Sequence, residues 1–115
     1  MRPDRGEVWI ERPERALRGR EQQRNERPVL IVSAAAINRG PSNLAVVVPL
    51  TTRDRGVALH VPIDAPEGGL RTRSVALPEQ IHVIAQERLI ERRGHVSLAT
   101  MREIEDRLRI VLDQL

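Results

Sequence analysis

The 115-residue chain has no cysteine, no lysine, no phenylalanine and no tyrosine, and Trp9 is its only aromatic residue. Without cysteine there are no disulfides and no thiolate chemistry. With one aromatic side chain, a sheet that binds RNA by stacking bases on rings is excluded. No apolar run approaches the ~20 residues of a membrane span. No apolar stretch follows Met1-Arg2-Pro3-Asp4-Arg5, so the sequence offers no signal peptide and a cytoplasmic address is expected.

All 19 basic residues are arginine, against 16 acidic ones, for a net charge of +3. That excess is too small to imply nucleic-acid binding. Its distribution is more informative: Arg12, Arg15, Arg18, Arg20, Arg24 and Arg27 crowd one stretch, interleaved with Glu14, Glu21 and Glu26. Arginine presents a planar fork that pairs bidentately with phosphate oxygens. A phosphate-tracking loop and a solvated mixed-charge loop both fit this pattern.

The length fits one domain, residues 1–115, with a modest core. Glu7 to Ile10 reads as a first strand. Pro28 to Ala34 reads as a second, because Val29-Leu30-Ile31-Val32 is a continuous apolar run suited to burial on both faces. Proline is tolerated at the start of such a strand. Leu44 to Leu50 predicts a third strand and Val57 to Pro62 a fourth. Ser74 to Leu77 and Gln80 to Ile84 read as one strand interrupted by Pro78. Gln86 to Leu89 predicts a helical turn and Ile90 to Val96 a last strand. Ser97 is a candidate N-cap for a final helix whose Met101, Ile104, Leu108, Val111 and Leu115 share one face. Short strands with one terminal helix suggest a small, strongly curved antiparallel barrel in the α+β class.

His60, His82 and His95 are scattered, with no pair at metal-ligand spacing, and His60 is expected at the surface or a sheet edge. Gly68-Gly69 lacks the residues of a phosphate loop. Neither metal nor cofactor is therefore expected. Arg27 at the mouth of the second strand is a fixed cation on a rigid element, and an ion pair at a loop–strand junction fits it equally well. Thr51, closing Val48-Pro49-Leu50-Thr51-Thr52, can be read as a turn-forming hydroxyl.

Arg5-Gly6-Glu7-Val8-Trp9, Gly19-Arg20-Glu21-Gln22, Arg27-Pro28 and Pro49-Leu50-Thr51, in this order, resemble the MazF/PemK family of toxin ribonucleases over nearly the whole chain. The resemblance implies an SH3-like barrel with a C-terminal helix. It also implies metal-independent, sequence-selective cleavage of single-stranded RNA by 2′-hydroxyl attack, leaving a 2′,3′-cyclic phosphate and a 5′-hydroxyl. A homodimer and a cognate acidic, MazE-like antitoxin are implied as partners. Arg27 and Thr51 match the catalytic positions. Arg20, Glu21, Gln22, Arg24, Thr52, Arg53, Glu79 and Gln80 are candidate substrate contacts.

The chain departs from the family in places. The segment before Arg27 is one residue longer than usual, and His82 stands where an arginine is common. Leu77 replaces the arginine that accompanies a carboxylate in PemK-type members, so Glu79 is expected to matter less than Arg27. Gyrase-poisoning toxins of the CcdB type, with the same expected fold, use a C-terminal Trp-Gly-Ile. This chain ends Asp113-Gln114-Leu115. A catalytically silent RNA-binding barrel is the remaining alternative.

Overall fold

The computed structural model describes residues 2–12 and 27–114. Seven strands form one antiparallel sheet: β1 (Glu7–Glu11), β2 (Arg27–Ile31), β3 (Leu44–Thr51), β4 (Val61–Ile63), β5 (Ser74–Ala76), β6 (His82–Ala85) and β7 (Leu89–His95). A short helix, α1 (Ala35–Asn38), leads into β3, and α2 (Leu98–Val111) closes the described chain. The strand order is β4-β5-β3-β2-β1-β7, with β6 branching from β3.

β3 is the hub of this sheet. One edge pairs with β2 (Val29↔Pro49, Leu30↔Val48, Ile31↔Val47). The other edge is divided between β6, which pairs with residues Leu44 to Val47, and β5, which pairs with Leu50 and Thr51. Pro49 falls at the division. Its carbonyl accepts the Leu77 N–H at 3.0 Å, so its nitrogen faces the gap between β6 and β5, where no ladder donor is required. A proline otherwise foreign to a central strand is accommodated there.

β2 and β3 are buried on both faces, as their apolar runs predict. One face joins Val8, Leu30, Val48, Leu50, Val61 and Ile63 to Met101 and Ile104 of α2. The other joins Trp9, Val29, Ile31, Ala45, Val47 and Ile84. The helix register follows the sequence pattern: Met101 and Ile104 are buried and Leu108 packs against them. Leu115 lies outside the described residues. Ser97 caps α2, its Oγ accepting the Thr100 N–H at 3.1 Å.

The α+β class and the terminal helix are as expected, but the barrel is not. The sheet stays open, since β4 and β7 at its two ends do not pair. β4 has three residues, and Pro62 withholds a donor from it. β7 meets the single 3₁₀ turn Glu67–Gly69 in place of a strand. A Cβ on Gly69 would lie 2.1 Å from the Arg93 carbonyl oxygen, and one on Gly94 would lie 2.9 Å from Gly68 backbone. Backbone packs on backbone where a ladder would have closed.

Strand bounds shift by a residue or two along the chain, and three changes are larger. The fourth strand starts at Val61, because the His60 N–H turns back to the Val57 carbonyl (3.0 Å). The interrupted strand becomes two, β5 and β6, separated by the 3₁₀ turn Pro78–Gln80. β2 ends at Ile31, beyond which buried Ser33 and Asn38 bond each other across α1 (Asn38 Nδ2 to Ser33 O, 2.9 Å).

Candidate active site

The branch at Pro49 opens a cleft. About 470 Å³ is lined by Arg27 from β2, Pro49, Leu50 and Thr51 from β3, Arg53, Arg55, Val57 and His60 from the β3–β4 connection, and Leu77, Glu79 and Gln80. Continuing the β2–β3 register by two residues sets Arg27 opposite Thr51. The two expected catalytic residues thus share one wall.

Thr51 is half-buried, and its Oγ1 accepts the Arg53 N–H at 3.1 Å. This bond turns the chain out of β3 and leaves the hydroxyl proton to donate into the cleft. The next loop is pinned from outside. Asp54 Oδ1 accepts the Gly56 N–H (2.9 Å) and Oδ2 accepts from Arg73 (3.0 Å), whose Nε also reaches Asp64 (2.9 Å). The Gly56 N–H, then the Arg73 guanidinium, hold the Asp54 carboxyl below its ordinary range. Arg53 and Arg55 flank this anchor and line the cleft. Neither their guanidiniums nor that of Arg27 has a hydrogen-bond or ion-pair partner among the described residues. Three guanidiniums lining one cleft, none paired with a carboxylate among the described residues, constitute an anion site.

The cleft lining also carries a histidine–carboxylate pair. His60 Nε2 lies 2.9 Å from Glu79 Oε2, with the His60 side chain 8% exposed and that of Glu79 39%. His60 is therefore not the surface residue its position in an alternating stretch suggested. Its Nδ1 is buried without a partner among the described residues. An unpaired lone pair there costs less than an unpaired N–H, so Nε2–H donates to Glu79. The pairing was hidden in the sequence because nineteen residues separate the partners. Arg55 was missed with it, although its place beside Arg53 in the connection after Thr51 is a usable signal.

Of the other expected contacts, Gln80 lines the cleft, while Thr52 is exposed and outside the lining. Arg20, Glu21, Gln22 and Arg24 lie outside the described residues. Among the described residues, no three His, Asp or Glu side chains come together as metal ligands.

The chain matches the family of PemK-like, MazF-like toxins of type II toxin–antitoxin systems over residues 4–112. It is 35% identical over 114 residues to the endoribonuclease MazF9 of Mycobacterium tuberculosis, covering 95% of each chain. To the endoribonuclease EndoA of Bacillus subtilis it is 30% identical over 92 residues, 79% of each. Among solved structures, a mycobacterial endoribonuclease in complex with its cognate antitoxin aligns with a TM-score of 0.76 at 26% identity, over 98% of this chain and 95% of that one. A MazE–MazF complex from Deinococcus radiodurans aligns over both chains in full, with a TM-score of 0.77 at 25% identity. On a sequence match that takes in every cleft residue, this chain belongs to the MazF/PemK toxins of type II toxin–antitoxin systems.

Proposed function

We propose that the protein is a sequence-selective endoribonuclease that cleaves single-stranded RNA without a metal ion, using the RNA's own 2′-hydroxyl as nucleophile. The observation that carries this reading is the meeting of Arg27, Arg53 and Arg55 with Thr51 and the His60–Glu79 pair in one cleft. In-line attack needs the 2′-oxygen held against phosphorus, charge offset on the non-bridging oxygens, and a base for the 2′-proton. Arg27 and the Thr51 hydroxyl supply the charge offset. An arginine always charged near neutrality suits that role better than proton transfer. Glu79, held by His60, accepts the 2′-hydroxyl proton. The O2′–P bond forms as P–O5′ breaks, and the 5′-oxygen takes up a proton from solvent water and leaves. The products are a 2′,3′-cyclic phosphate and a 5′-hydroxyl.

The endoribonuclease relatives support this chemistry, and the antitoxin complexes of similar proteins support a toxin role with an acidic, MazE-like antitoxin. A homodimer would extend the RNA track across two clefts. The test is cleavage of single-stranded RNA in EDTA, with analysis of the ends. Fragments with 5′-hydroxyls and cyclic phosphates are expected. Activity only on adding Mg²⁺ or Mn²⁺ would overturn the reading.

A further inference from the structure

Glu11 is the last residue of β1 and faces Arg27, the first of β2, as its Cα partner. Directly opposed residues of an antiparallel pair point to the same face with Cβ atoms ~5 Å apart. Glu11 is 4% exposed and follows the buried apolar residues Val8, Trp9 and Ile10 in β1. Its Oε2 is 3.3 Å from Arg88 Nη2. Its Oε1 has no hydrogen-bond partner among the described residues. His82 Nε2 approaches Oε1 to 3.8 Å, within ion-pair reach but beyond hydrogen-bond range. The His82 ring is held there by its Nδ1, 2.9 Å from the Gln80 carbonyl oxygen.

A buried carboxylate with one idle oxygen is costly, and pairing with Arg88 accounts for only half of it. Glu11 is the cross-strand partner of the one cleft arginine carried by a strand. A guanidinium has five N–H donors on two usable edges, so it can hold a carboxylate with one and a phosphate with the other.

We propose that Glu11 is a positioning residue for Arg27: its Oε1 takes one N–H of the Arg27 guanidinium when RNA is bound, fixing the other edge against the scissile phosphate. This inference rests on the reading of Arg27 as the phosphate-facing cation. Without the brace, Arg27 remains present and charged but loses its orientation, so the loss falls on kcat rather than on KM. A misplacement of about 1 Å at a reacting centre can cost on the order of 100-fold.

The test measures kcat and KM on a single-stranded RNA oligonucleotide for Glu11→Gln, Arg27→Ala and the double variant. Thermal unfolding is followed in parallel, and Glu11→Ala serves if the glutamine variant does not fold. The expected result is a folded Glu11→Gln protein with kcat lowered ~10–100-fold and KM within about twofold. In the Arg27→Ala background the same change should cost nothing further. Wild-type kcat in folded Glu11→Gln, or losses that multiply in the double variant, would overturn the positioning role. A His82→Ala variant reproducing the whole Glu11→Gln effect would overturn it too, because Glu11 would then act through His82. Full activity in Arg27→Ala alone is a different failure: it removes the functional assignment of Arg27 and this inference with it.

Discussion

Thr51 and Arg27 reach the cleft from neighbouring strands with their backbones fixed by the ladder, which is the condition for preorganised charge stabilisation. Removing one such donor typically costs ~10²–10³ in rate. Arg27→Ala and Thr51→Ala are each expected to lose activity on that order while melting near the wild-type temperature. Arg27→Lys keeping full activity would mean that the fork geometry is irrelevant. The His60–Glu79 pair has a different part in the proposed mechanism, that of moving a proton. Glu79→Gln should cost ~10²–10⁴ in kcat. His60→Ala should cost less. A Glu79→Gln enzyme with wild-type kcat would restore the view, suggested by Leu77, that this carboxylate is peripheral.

At the scale of elements, patterns that depend on near neighbours were legible in the chain and those that depend on closure were not. Val29 to Val32 announced a strand buried on both faces, and Ser97 with Met101 and Ile104 announced a capped helix with one apolar side. Arg27 and Thr51 were singled out because they match catalytic positions of the family that the chain resembles; their places at strand ends left a structural role open. His60 and Glu79 were not paired in advance, because their meeting depends on where two connections fold back. The open sheet was equally invisible: it follows from Gly68 and Gly69 lying against Arg93 and Gly94, a contact no periodicity encodes. Gly69 has φ +72, and a side chain there would strike the Arg93 carbonyl. Gly69→Ala should therefore lower the melting temperature sharply, by loss of the contact between the turn and β7. A melt unchanged by this substitution would show that the turn does not brace β7.

The same turn carries a pH dependence for the neighbouring helix. Glu67 Oε2 accepts the Ser97 N–H (2.9 Å) and the Thr100 hydroxyl (2.7 Å), tying the turn to the start of α2. Burial alone would raise the Glu67 carboxyl, but the hydrogen bonds from Ser97 and Thr100 outweigh it and hold it below its ordinary value. A group lowered on folding contributes stability that is full above its unfolded range and lost as pH falls through the folded one. Glu67→Gln should flatten the acid side of the stability curve and leave neutral cleavage activity near wild type. An acid limb identical to wild type would assign the loss to the other lowered carboxyls, Asp54 and Glu7; at Glu7 burial opposes the shift, and hydrogen bonds from Trp9, Asp4 and Arg92 produce it.

Across the whole molecule, charge is distributed so that the small net excess understates the cleft. Most described guanidiniums away from it are spent on carboxylates: Arg5 on Glu105, Arg39 on Asp4, Arg73 on Asp54 and Asp64, Arg92 on Glu7, Arg109 on Asp106. Among the described residues Arg27, Arg53 and Arg55 are not, so the cleft holds positive charge that a net value of +3 conceals. An RNA strand and an acidic antitoxin segment would present anions to the same three groups, and arginine pairs with phosphate and carboxylate alike. Binding to single-stranded RNA should weaken with salt at a slope of about −0.7 per neutralised phosphate. Replacing Arg53 and Arg55 with glutamine should therefore reduce that slope by up to about 1.4. If the antitoxin occupies this cleft, its affinity should fall in the same variant, and RNA and antitoxin should displace each other in a competition assay. A double variant that loses salt dependence toward RNA yet binds antitoxin as wild type would place the inhibitory contact on another face. Inhibition would then act by altering the cleft from a distance, not by filling it.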